Sequence, residues 1–113
     1  MKAALLATSL VLFLGAASAL AAQTPDGKTT FEQSCRACHG TRGIPSAAMV
    51  KMMKVPNLDA GYFAKHNEDS VVVVLKKGRG TNMKSFTGKL TPDQMQSVAH
   101  YIRELATSAP DQK

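Results

Sequence analysis

The stretch Cys35-Arg36-Ala37-Cys38-His39 holds both cysteines of a 113-residue chain. How the pair is used decides what kind of domain surrounds it. A disulfide closing so short a loop would constrain the unfolded chain little. A redox dithiol of the thioredoxin kind calls for a preceding strand and a βαβ setting, and neither is read here. A structural zinc site wants four closed ligands at characteristic spacings, whereas His66 and His100 lie 27 and 61 residues beyond His39. Covalent haem attachment fits best. Two thiols three apart on a helical turn lie on one side of the chain, so each can add to one vinyl group along the same porphyrin edge. His39 then falls beneath the iron as an axial ligand.

Such attachment takes place outside the bacterial cytoplasm, and the start of the chain agrees. Met1-Lys2 is a short positive region, Ala3 to Leu14 is apolar, and Ala19-Leu20-Ala21 is an A-x-A cleavage site. Together they predict a signal peptide over 1–21, a periplasmic protein and no stable membrane insertion after cleavage. A retained anchor is the rival reading, since the apolar stretch nears the roughly 20 residues that span a bilayer. The domain is expected over 22–106, with a flexible polar tail over 107–113.

The chain carries 14 Lys and Arg against 8 Asp and Glu, so without Lys2 its net charge is +5. That balance suggests an acidic protein partner. Nucleic acid is excluded as a partner class, because base-stacking aromatics are not interleaved with the basic residues. Aromatic residues are few and there is no Trp. A domain this small, with so little apolar area, often depends on a staple, a metal or a cofactor.

The remaining pattern predicts an all-α domain. Thr24 as cap and Pro25 at the first position open a helix running to about Arg36. Ser46 caps a short helix with Met49, Val50 and Met53 on one face, and Val55-Pro56 ends it. Val71 to Leu75 has the composition of a strand, but its flanks decide for a helix. Asn67 is a cap, Glu68 and Asp69 fill the first turn, Lys76 and Lys77 the last, and Gly78 follows. Thr91-Pro92-Asp93-Gln94 is a capping box opening a helix whose Met95, Val98, Ala99, Ile102 and Leu105 share a face.

An iron held by His39 has a second axial position. Met95, Met49 and Met53 read as helix packing and Met52 as exposed. Met83 sits in a glycine-bearing loop 44 residues after His39, which leaves room for the chain to pass from one haem face to the other. Met83 is therefore the candidate axial ligand. His66 and His100 are its rivals, each read more readily as a surface residue.

On these residues the sequence resembles the small monohaem class I cytochromes c of bacteria, over nearly all of the chain after residue 21. Gly27 and Phe31 look like the family's first-helix pair, and Val98 and Tyr101 like their partners on the last helix. Pro56-Asn57-Leu58 is similar to an element whose proline carbonyl accepts the proximal histidine's N–H and whose leucine packs on the ring. Pro45 is the alternative acceptor. Gly78 to Met83 resembles the approach to the distal methionine, except that Lys84 stands where the family commonly has proline. Phe86 keeps the family's place near the haem.

The resemblance implies about four helices around one covalently bound haem c, with Cys35 and Cys38 as thioethers and His39 and Met83 as iron ligands. Pro56, Leu58 and Phe86 would line the pocket. It implies a one-electron carrier, not an enzyme, that meets redox partner proteins. Lys76, Lys77, Arg79, Lys84 and Lys89 would form the basic face that meets them. Two alternatives stand beside it: a haem c subunit of a larger dehydrogenase or oxidase, or a ligand-binding haem protein if Met83 leaves the iron.

Overall fold

The computed structural model describes residues 26–108. The segment read as a leader (1–21), the Thr24-Pro25 pair and residues 109–113 lie outside the described residues. Six helices follow in order: α1 Gly27–Ser34, α2 Arg36–His39, α3 Ala47–Met53, α4 Ala60–Phe63, α5 Glu68–Lys77 and α6 Pro92–Thr107. Among the described residues there is no strand, only two isolated bridges, Arg79 with Met83 and Thr87 with Leu90.

The helix starts follow side-chain capping. A helix leaves its first N–H groups without partners, and a short polar side chain supplies one. Asn67 and Ser70 exchange hydrogen bonds at the start of α5, and Thr91 and Gln94 do so at the start of α6. Ser46 accepts from the Met49 N–H at the start of α3. The first helix differs from expectation. Its cap is Asp26, whose carboxylate accepts from the Thr29 N–H at 2.7 Å, and it ends at Ser34 instead of Arg36. Helix α4 was not foreseen. Asp59 caps it, accepting from the Tyr62 N–H at 3.0 Å, but four residues carry no periodic pattern to read.

The core is the crossing of α1 and α6, extended by α5. Phe31 and Val98 are completely buried, and Val71, Leu75, Met95, Ala99 and Ile102 close around them. Burying one such side chain stabilises the fold by roughly 1.5–3 kcal/mol. The crossing is close because Gly27 has no side chain: a Cβ there would lie 2.7 Å from that of Tyr101 and inside contact with the Ser97 carbonyl. The valine run of α5 is divided between faces. Val71 and Val72 are buried while Val73 is 47% exposed, an arrangement with helical and not alternating periodicity. Helix α3 buries none of its residues.

Candidate haem site

The cysteine motif forms one tight turn at the end of α1. At Cys35 the helix breaks, and the Cys38 and His39 N–H groups both donate to the Cys35 carbonyl, at 3.2 and 3.0 Å. Cys35 is buried and Cys38 exposed, and neither is bridged. Burial pushes the Cys35 thiol up to about 11, with Cys38 adding to the rise. That is the reverse of what a reactive thiolate needs.

His39 is held in a desolvated place. Burial lowers its pKa, which favours the neutral imidazole that can coordinate a metal. Its Nδ1 is buried with no hydrogen-bond partner, the one such side-chain atom among the described residues. With Nδ1 turned into the protein, Nε2 is the nitrogen available to a metal. An orphaned ring N–H of this kind calls for a carbonyl acceptor, the usual companion of a metal-bound histidine. The structure bears on both prolines considered for that part. Pro56 is exposed and Pro45 buried. The Ile44 carbonyl presses on Gly40 so closely that a Cβ there would overlap it, and the Pro45 Cα lies 3.5 Å from the same point. Leu58 is buried, and its N–H donates to the Gly43 carbonyl at 2.9 Å. The turn after His39 is thus docked on Leu58.

Met83 is half-buried and packs against the edge of the core with Phe86, Leu90, Tyr62 and Phe63. Its loop is closed on itself. The Arg79 N–H donates to the Met83 carbonyl at 2.7 Å, and the Met83 N–H returns to the Arg79 carbonyl at 3.3 Å. Gly78 makes this fold-back possible. It has φ +75°, and a Cβ would lie 2.7 Å from the Met83 oxygen and 2.8 Å from the Ser85 nitrogen.

Of the other histidines and methionines, His100, Met52 and Met95 lie where their positions suggested, whereas His66 is half-buried instead of a surface residue, and Met49 and Met53 lie on a helix that buries none of its residues. His100 is exposed, 3.1 Å from a Glu68 oxygen and 3.3 Å from one of Glu104. His66 stacks on Tyr62 with ring centres 4.3 Å apart, a contact with no signal in the sequence beyond the spacing of four. Met95 is 2% exposed and Met52 78%. Lys76, Lys77, Arg79, Lys84 and Lys89 are all exposed, and none joins an ion pair among the described residues.

The residues present fit a covalently attached haem. Two unbridged sulfurs share one turn, a neutral imidazole follows them, and half-buried apolar side chains stand beside the core with surface left to cover. No helix among the described residues is long and apolar enough to cross a membrane.

Comparison with known proteins agrees. Residues 22–102 match the family described as "Cytochrome C oxidase, cbb3-type, subunit III". The cytochrome c6 of Thermostichus vulcanus is 33% identical over 101 residues, covering 88% of this chain and 87% of that one. The cytochrome c6 of Synechocystis is 30% identical over 106 residues, with 89% and 85% covered. The CcoP subunit of the cbb3-type oxidase of Azospirillum brasilense is 28% identical over 84% of this chain but only 32% of its own length. Among solved structures, the KustC0563 c-type cytochrome superposes with a TM-score of 0.65 at 26% identity, over 72% of this chain and 98% of that one.

Proposed function

The chain belongs to the class I cytochromes c, and on that footing we propose that it shuttles single electrons between proteins in the periplasm, on a haem ligated by His39 and Met83. Membership makes it an electron-transfer protein with covalently bound haem c, and not an enzyme. When bound, the haem exchanges one electron between its ferrous and ferric states. The chain's own residues set where and how readily this happens.

Cys35 and Cys38 would tether the group through thioethers, and His39 would coordinate it through Nε2. The Met83 sulfur is a soft donor that favours the reduced iron and so raises the potential relative to two imidazoles. An iron held by both His39 and Met83 would leave no coordination site open to a substrate. Leu58, Pro56 and Phe86 complete the pocket, and the carbonyl that Nδ1 requires comes from Pro56 or, as the alternative, from the buried Pro45. Lys76, Lys77, Arg79, Lys84 and Lys89 draw in an acidic partner by their field, which gives fast, salt-sensitive encounters. Residues 1–21 direct export and are removed.

The observation that carries this reading is the turn in which two unbridged thiols precede an imidazole whose Nδ1 is buried and unpartnered. It is tested on the oxidised holoprotein. Met83→Ala is expected to abolish the weak red absorbance band of a methionine–iron(III) bond, and Met53→Ala to leave it. A band that survives Met83→Ala would remove the ligand assignment. Carbon monoxide binding to the reduced wild-type protein at neutral pH would instead favour a ligand-binding haem protein.

A second reading has its own support in the match to an oxidase subunit family and to one third of an oxidase subunit. The chain would then be the haem c subunit of a larger complex. Purification from its native membrane and periplasmic fractions separates the two. A stable large partner would support the subunit, and a free monomer the shuttle.

A further inference from the structure

The loop that carries Met83 lacks the proline that stiffens it in the family, and the structure offers another source of stiffness. The last carbonyls of any helix have no partner within it. In α5 two of them are taken by the residues just after Met83. The Phe86 N–H donates to the Leu75 carbonyl at 2.8 Å. The Lys76 carbonyl accepts two hydroxyls, Ser85 Oγ at 2.6 Å and Thr87 Oγ1 at 2.9 Å. The Thr87 N–H in turn donates to Ser85 Oγ at 3.1 Å, so the serine hydroxyl is used in both directions.

We propose that Ser85 and Thr87 are positioning residues for Met83, clamping its loop to the end of α5 through the Lys76 carbonyl. The proposal rests on the reading of Met83 as the axial ligand. The clamp acts from one side of Met83, and the paired bonds with Arg79 act from the other. Between them only Lys84 is free of restraint. Its side chain makes no hydrogen bond or ion pair among the described residues, and its N–H donates to no backbone carbonyl there. A stiff loop holds the sulfur where it is needed and keeps its departure rare, the part that a proline plays by restricting the backbone.

The test uses the holoprotein with Ser85→Ala, Thr87→Val and the pair combined. Each lost hydroxyl bond should speed exchange of the Met83 and Phe86 amides about fivefold, and both together roughly thirtyfold. The pH at which the methionine–iron band disappears on alkaline titration should fall in the same order. Ser85→Thr and Thr87→Ser keep a hydroxyl and should restore both readouts towards wild type. Unchanged amide exchange and an unchanged titration in the double variant would overturn the clamp. Met83→Ala run alongside keeps the two ideas apart. If it retains the band, the axial reading has failed and the positioning role falls with it. If it loses the band while the double variant behaves as wild type, only the clamp has failed.

Discussion

Phe31 and Tyr101 meet edge to face, with ring centroids 5.6 Å apart and planes inclined at 61°. The contact places the first helix across the last, and an aromatic pair in this geometry adds to what area burial alone supplies. It depends on Gly27, one turn earlier, letting the backbones approach.

Gly27→Ala is therefore expected to destabilise the protein by roughly 1–3 kcal/mol, the usual cost of forcing a methyl into a filled contact. Guanidinium unfolding followed by far-ultraviolet circular dichroism should show a lower midpoint at an unchanged slope. A midpoint equal to wild type would mean that the crossing is looser than described.

Two glycines of the methionine loop should respond differently to the same change. Gly78 has φ +75° and no space for a Cβ; Gly80 has φ +61° and nothing within 4 Å of one. Gly80→Ala carries only the left-handed backbone penalty, roughly 1–2 kcal/mol. Gly78→Ala adds a collision with the Met83 and Ser85 backbone. The methionine–iron band of the oxidised holoprotein should weaken markedly in Gly78→Ala and little in Gly80→Ala. Equal responses would argue against close packing at Gly78.

Removal of the thiols tests attachment directly. Cys35→Ala or Cys38→Ala leaves one thioether, whereas the double variant leaves none. Haem staining after denaturing electrophoresis should persist in the single variants and vanish in the double. Staining of the double variant would show that another residue holds the group.

Asp26 supplies a pH dependence of definite sign. Hydrogen bonds from Thr29, its backbone N–H first, lower the carboxyl pKa from the ordinary 3.8. A group whose folded pKa is depressed contributes stability that is complete above the unfolded value and lost as pH falls through the folded one. The contribution should be whole above pH 3.8 and decline below it. Asp26→Asn caps without titrating, so its acid unfolding curve should be flatter in that range. A curve identical to wild type would deny the carboxylate this part.

Much of this arrangement was legible in the chain because it is local. The capping residues Asn67 and Thr91 announce α5 and α6, the charges at both ends of α5 outweigh its four valines, and the cysteine motif declares its turn. The start of α1 was displaced because Thr24, Pro25 and Asp26 all suit a helix entrance, and the carboxylate of Asp26 is the group bonded to Thr29. Four residues of α4 hold no period to detect. The hydroxyls of Ser85 and Thr87 gave no signal, since their acceptor is a backbone carbonyl nine and eleven residues away. For the same reason the exposure of Pro56 and the burial of Pro45 emerge only when the loop after Gly40 is folded against Leu58.

The crossing has a further consequence for everything between its ends. Phe31 and Val98 stand 67 residues apart in sequence and are both completely buried, so the segment holding Cys35, His39 and Met83 is a closed loop. Closure of a long loop has an entropic cost that grows only slowly with its length, and here the core bears it once. A side chain that releases a bound group within this loop stays near it, at an effective concentration set by the folded chain that tethers it and not by the bulk solution. Rebinding is then intramolecular, and a momentary loss of one bond need not become the loss of the site.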